Sequence, residues 1–167
     1  MSLSIALLTV SDSRSLADDP SGDALQQRLQ TAGHRLAARQ LVPDDRYRIR
    51  ALVSAWIADP AVQVVISCGG TGLTGRDGTP EALAPLLDKR IEGFGELFRV
   101  LSFETIGTSS LQSRCLAGVA NGTLVFVLPG SLDAVQTGWD RLIAAQLDAA
   151  TRPCNLVQLL PRLREPG

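Results

Sequence analysis

Apolar positions along the chain alternate between two spacings. Short unbroken runs alternate with stretches in which apolar residues recur every three or four positions, the signature of strands interleaved with helices. SIALLTV (4–10) reads as a buried strand that stops at the turn-like SDSRS. SGDALQQRLQTAG (21–33) reads as a helix, with Ser21 as its cap and Gly33 as its stop. HRLAARQLV (34–42) is the next strand and ends at Pro43. In DDRYRIRALVSAWI (44–57) the apolar residues Ile49, Leu52, Val53, Trp56 and Ile57 form one helical face, with Asp44 or Asp45 as cap.

VQVVIS (62–67) is a strong buried strand, and a glycine-rich stretch follows it directly. TPEALAPLLDKR (79–90) predicts a helix with Thr79 as N-cap, Pro80 in the first turn and Glu81 beside it. GFGELFRVLS (93–102) places Phe94, Leu97, Phe98 and Leu101 on one helical face. LAGVANGTLVFVL (116–128) holds two apolar runs around Asn121-Gly122, a strong hairpin signal. PGSLDAVQTGWDRLIAAQL (129–147) predicts a last helix capped by Ser131, with Val135, Trp139, Leu142, Ile143 and Leu147 facing inward. The remaining TRPCNLVQLLPRLREPG reads as an irregular or extended tail. Strand–helix alternation followed by a hairpin implies one α/β domain over residues 1–167, with a mixed sheet and helices on both faces.

Composition narrows the picture. The formal charge of −1 provides no basic field to hold nucleic acid, and no apolar run is long enough to span a bilayer. Fifteen of the 16 basic residues are arginine, Lys89 being the exception, and arginine suits bidentate phosphate contacts. Cys68, Cys115 and Cys154 are too scattered for a disulfide framework or a zinc site, so they read as small buried thiols of a cytoplasmic protein. His34, the lone histidine, reads as structural or surface.

The candidate chemistry centres on SCGGTGLTGRDGTPE (67–81). Gly70, Gly72 and Gly75 match a dinucleotide-binding G-x-G-x-x-G, but Gly78 and Pro80 forbid the helix that such a motif must open at once. No Gly-Lys-Ser/Thr follows, which excludes a Walker A loop. The remaining readings are a tight surface loop or an anion cradle at a strand end. In the cradle, Gly69, Gly70 and Gly72 let backbone amides approach a ligand, Thr71 and Thr74 add hydroxyls, and Arg76 adds positive charge. Asp77 beside such a loop suits Mg²⁺ better than phosphate.

GGTGLTGRDGTPEAL, EGFGELFRVLSFETIGTSSLQSR, GVANGTLVFVLPGS and TRPCN, with LTVSDSR and LVPDD, together resemble the MoaB/MogA family of molybdenum cofactor biosynthesis proteins. LSFETIGTSSLQSR and TRPCN look closer to the MoaB branch, while GRDGTPE keeps the Arg-Asp-x-Thr-Pro pattern of catalytically active members. The resemblance implies a three-layer α/β/α sandwich with a mixed, mostly parallel sheet, assembled as a homotrimer or homohexamer. It also implies adenylylation of molybdopterin by Mg²⁺ and ATP, releasing pyrophosphate and handing the product to a metal-inserting protein. A non-catalytic, molybdopterin-binding role in the same pathway is the alternative.

By the same resemblance, Asp77 and Asp44 are the catalytic, Mg²⁺-binding aspartates, although Asp44 also fits a helix cap. Gly69, Gly70, Thr71, Gly72 and Arg76 would hold phosphate. Ser11 and Asp12 either line the nucleotide pocket or form an ordinary turn. Thr108, Ser109 and Ser110 either hold the pterin or cap a helix. Gly130 and Ser131 offer amides at a helix start. Cys68 stands where related chains carry a hydroxyl, which removes one expected donor to phosphate.

Overall fold

The computed structural model describes residues 1–165; the last two residues of the sequence-based domain lie outside the described residues. Six strands form one sheet in the order β2-β1-β3-β6-β5-β4. β1 (Ser4–Val10), β2 (Arg35–Val42), β3 (Val64–Cys68) and β6 (Thr123–Leu128) are mutually parallel. β5 (Leu116–Ala120) and the two-residue β4 (Lys89–Arg90) extend the sheet by antiparallel pairing.

β1, β3 and β6 carry no polar alternation because both of their faces are covered. Ile5, Leu7, Val64, Ile66 and Leu124 face a core closed by α1 (Pro20–Thr31), α4 (Glu92–Ile106) and α5 (Leu132–Gly138). Ala6, Leu8, Val65 and Val127 face a second core closed by α2 (Arg46–Ala58) and the short α3 (Thr79–Leu83). The expected mixed, mostly parallel sheet between two helical layers is therefore observed.

Most sequence-based elements recur with shifted ends. α1 is capped by Asp19, not Ser21, because the Asp19 carboxylate accepts from Gly22 N while the Ser21 hydroxyl donates to Gly130 O. Asp45, the second of the two candidates, caps α2 by accepting from the Tyr47 and Arg48 amides. The hairpin turn is as expected: Asn121 and Gly122 take φ of 48° and 77°, joining Ala120 to its partner Thr123. The last helix starts at Leu132 under the Ser131 cap and continues through a π-turn (Trp139–Ile143) to Gln146.

Three expectations need correction. The helix expected over 79–90 stops at Leu83 and a 3₁₀ turn, and Lys89–Arg90 becomes a strand. Pro85 has no N–H to continue the α-helical ladder, and Arg50 takes the freed carbonyls of Glu81 and Ala82 at 2.9 and 3.0 Å. Gly78 occupies the cap position, and the Thr79 hydroxyl donates to Gly69 O instead. Second, α4 runs on to Ile106 and buries Phe94 and Phe98, but leaves Leu97 56% exposed. Val100, Phe103 and Ile106 join Leu97 in an uncovered apolar band. Third, Cys154 is exposed, whereas Cys68 and Cys115 are buried as expected.

Of the two readings of the tail, the irregular one holds over 151–156. The chain then forms a 3₁₀ turn (Val157–Arg162), and Val157, Leu160 and Leu163 pack on the first core. His34 is structural: its Nδ1 accepts from Leu3 N, and its ring meets Trp139 edge to face.

Candidate functional site

The parallel strands β1, β2, β3 and β6 all end at the same edge of the sheet. Their following segments supply Ser11–Asp12, Asp44, the Gly69–Asp77 loop and Gly130–Ser131, respectively. Open α/β sheets bind ligands in the crevice outside the carboxyl ends of their strands. A cavity of about 1010 Å³ opens there, between the strand-end loops and facing surfaces of α4 and the last helix.

The glycine loop is built around two carboxylates. Gly70 has φ of 69°, and a Cβ there would lie 2.6 Å from Asp44 Oδ2. A Cβ at Gly72 would lie 2.6 Å from Asp77 Oδ2. These glycines thus clear space for Asp44 and Asp77, a role that amide exposure alone does not express. Asp44 Oδ1 accepts from Gly78 N at 3.1 Å. Asp77 Oδ2 accepts from Thr74 N and from the Thr74 hydroxyl at 2.9 and 2.7 Å, so that hydroxyl is spent inside the loop. Among the described residues, no protein acceptor engages the amides of Gly70 and Thr71.

The two carboxyls differ electrostatically. Burial pushes the Asp44 pKa up, and the like charges of Asp77 and Asp12 push it further, against the opposing Gly78 hydrogen bond. The Thr74 hydroxyl and nearby amides hold Asp77 below the usual carboxylate range. Neither forms an ion pair among the described residues. An all-oxygen donor pair outside any ion pair, with Arg76 and Arg114 acting on it only at longer range, fits Mg²⁺. Among the described residues no group of three or more His, Cys, Asp or Glu could hold a metal ion. Mg²⁺ often takes only one or two carboxylates and completes its shell with water and phosphate oxygens, so the pair still fits.

Ser11, Gly69, Gly70, Thr71, Gly72, Asp77, Ser109, Gly130 and Ser131 all line the cavity. The remaining sequence-predicted residues do not. Asp12 and Arg76 form a two-pronged ion pair at 2.7 and 2.9 Å, and Asp12 also accepts from Asp44 N. Arg76 is therefore a neutralised brace at the rim, not a free phosphate ligand. Asp44 sits behind Gly70, outside the lining. Thr108 and Ser110 also fall outside it, because a 3₁₀ turn (Gly107–Gln112) sends successive side chains to different sides and turns Ser109 and, one turn on, Gln112 inward. Cys68 is buried beneath the loop against the Thr9 hydroxyl, and burial raises its thiol pKa to about 12. At that position neither a thiol nor a hydroxyl would reach the cavity, so no phosphate donor is lost.

Several contributors were missed. Arg114 donates to Gly72 O and Asp77 O and pairs with the Glu81 carboxylate, clamping the loop from beneath. Thr9 and Asp19 line the cavity floor; Asp140 and Arg141 line the wall contributed by the last helix. Only Asp19 had a local signal, an aspartate directly before the Pro20 that starts α1.

Comparison with known proteins follows the same lines. Residues 6–149 match a family model described as a probable molybdopterin binding domain. Over 151 residues the chain is 60% identical to molybdenum cofactor biosynthesis protein B of Escherichia coli (strain K12), covering 90% of this chain and 89% of that protein. It is 42% identical to the Bacillus cereus protein of the same name, covering 87% and 86%. A crystal structure of a molybdenum cofactor biosynthesis protein B superposes with a TM-score of 0.88 at 37% identity, covering 98% and 96% of the two chains. The tungsten cofactor synthesizing protein MoaB from Pyrococcus furiosus superposes at 0.80 with 32% identity, covering 98% of each chain.

Proposed function

The chain belongs to the MoaB/MogA family of molybdenum cofactor biosynthesis proteins, and on that premise we propose that it adenylylates molybdopterin at the expense of ATP. The observation that carries this reading is the pair Asp44–Asp77, in no ion pair among the described residues, with Asp77 lining the cavity beside Gly72 and Asp44 seated behind Gly70. The terminal phosphate of molybdopterin attacks the α-phosphate of ATP, the bond to the β-phosphate breaks, and pyrophosphate leaves. Such a transfer needs alignment and charge neutralisation more than a covalent nucleophile. Mg²⁺, when bound by Asp44 and Asp77, would supply that neutralisation. The free amides of Gly70 and Thr71 hold phosphate oxygens, and Ser109, Gly130 and Ser131 complete the anion-facing wall. Arg114 keeps the loop from drifting by holding two of its carbonyls.

The test is direct. Purified protein given molybdopterin, Mg²⁺ and labelled ATP forms adenylyl-molybdopterin and releases pyrophosphate. No turnover beside a working positive control refutes the proposal. A second reading, molybdopterin binding without catalysis, is favoured by one observation: Asp77 Oδ2 is already occupied by Thr74. It predicts pterin binding by calorimetry that neither needs ATP nor changes in Asp77→Ala.

We also infer that the chain self-associates, because Leu97, Val100, Phe103 and Ile106 leave an apolar band of α4 uncovered, and the family resemblance implies a trimer or hexamer. Sedimentation of Phe103→Glu as a smaller species than the parent supports this. The metal-inserting protein of the pathway is the expected recipient of the product.

A further inference from the structure

A second concavity, about 850 Å³, lies outside the proposed catalytic cavity. It is bounded by α2, α3, β4, α4 and the segment leading into β5. Five arginines and two glutamates line it, a surplus of three positive charges in a chain whose overall charge is −1. The arginines arise from separate elements: Arg46 and Arg50 from α2, Arg90 from β4, Arg99 from α4 and Arg114 from the approach to β5. Tertiary folding alone brings them together, against the self-repulsion that gathering like charges entails.

Three of the five are anchored by neutral carbonyls and so keep their charge. Arg50 holds Glu81 O and Ala82 O, Arg99 holds Ser113 O and Cys115 O, and Arg114 holds Gly72 O and Asp77 O. Only Arg114 also pairs with a carboxylate, that of Glu81. Arg46 and Arg90 are exposed, and their side chains make no hydrogen bond or ion pair among the described residues, although Arg46 lies close enough to Glu81 to attract it. Anchored guanidiniums are pre-oriented, and free ones can close on a ligand. Planar guanidinium forks match phosphate oxygens two at a time.

We propose that this groove binds a compact polyphosphate, with Arg46 and Arg90 as its free grips and Arg50, Arg99 and Arg114 as its fixed floor. Convergence of the charges on one hollow, instead of along a stripe, selects a small multiply charged anion over an extended nucleic acid. The groove adjoins the Asp44–Asp77 cavity, sharing Ser113 in the lining of both, and Arg114 reaches from it to the loop, but the other arginines face only the groove. The proposal does not depend on adenylyl transfer.

Calorimetry with inorganic pyrophosphate in Mg²⁺-free buffer tests it on the full chain. The parent binds pyrophosphate, and the Arg46→Ala/Arg90→Ala double variant binds at least about tenfold more weakly, consistent with the loss of charge-assisted contacts. Both altered arginines are surface residues, and an unchanged melting temperature confirms that the double variant is folded. A parallel titration with ADP separates the sources: weakening of both ligands identifies a nucleotide's phosphate tail, weakening of pyrophosphate alone a free anion. Equal pyrophosphate affinity in parent and double variant, or no binding to the parent, overturns the proposal.

Discussion

Two aspartate centres sit at the same edge of the sheet and have opposite designs. Asp19 is fully buried, accepts from the Thr9 hydroxyl and Gly22 N, and pairs at 3.0 Å with Arg39, itself nearly buried. Burial pushes its carboxyl up, yet the Thr9, Gly22 and Arg39 contacts together hold it below the usual range. Asp44 and Asp77 are half-buried and form no ion pair among the described residues; Asp44 feels the like charges of Asp77 and Asp12, and only the more distant fields of Arg76 and Arg114 act on Asp44 and Asp77, respectively, in the other direction. A carboxylate supplied with every partner it needs is scaffold. A pair outside any ion pair and beside a cavity is the arrangement on which the proposed Mg²⁺ site rests.

That contrast can be broken at Asp19 first. Asp19→Ala removes the α1 cap and leaves the Thr9 hydroxyl and one face of Arg39 without their acceptor, Asp23 and Gln26 still holding the guanidinium, so denaturant unfolding should show a loss of about 1–3 kcal/mol. Asp77→Ala should do the reverse, with little change in melting temperature but turnover lower by at least about 10²-fold, measured as adenylyl-molybdopterin formed. Gly70→Ala tests whether the loop exists to seat Asp44. The positive φ and the encroachment on Asp44 Oδ2 should cost about 1–3 kcal/mol of stability and lower turnover as well.

Asp44→Asn sharpens the comparison further. The amide oxygen can still accept from Gly78 N, and the repulsion from Asp77 disappears. Stability should hold or rise slightly, whereas the Mg²⁺ dependence of ligand binding should weaken in titration calorimetry. The smallest expected effect is at His34, remote from both centres. Burial lowers its pKa, and its Nδ1 must stay unprotonated to accept from Leu3 N. Stability from this residue is therefore complete above the unfolded value of about 6.5 and declines as pH falls from there through the lower folded value. A His34→Gln variant should lack that part of the pH dependence in thermal melts.

Much of this molecule was legible in one dimension. β1, β3 and β6 were readable because a strand covered on both faces must be apolar throughout. The hairpin was readable because Asn121 and Gly122 tolerate left-handed backbone. Asp77 stood out because an acid beside a strand-end glycine loop has few other uses. The failures share one physical origin. β4 is Lys89-Arg90, a polar pair that becomes a strand only through its bonds to β5. Leu97 looked like core because spacing identifies an apolar face without showing what covers it. Arg76 looked like a phosphate ligand until Asp12, remote in sequence, was found to hold it.

The order of elements, their apolar faces and the presence of a glycine-rich loop at a strand end thus follow from residue identity and spacing, which act over a few positions. Which acids remain unpaired, which arginines gather in the groove and which glycines make room for carboxylates follow only from the fold. Those properties depend on partners from other strands and helices, and local sequence carries no record of the distance between them.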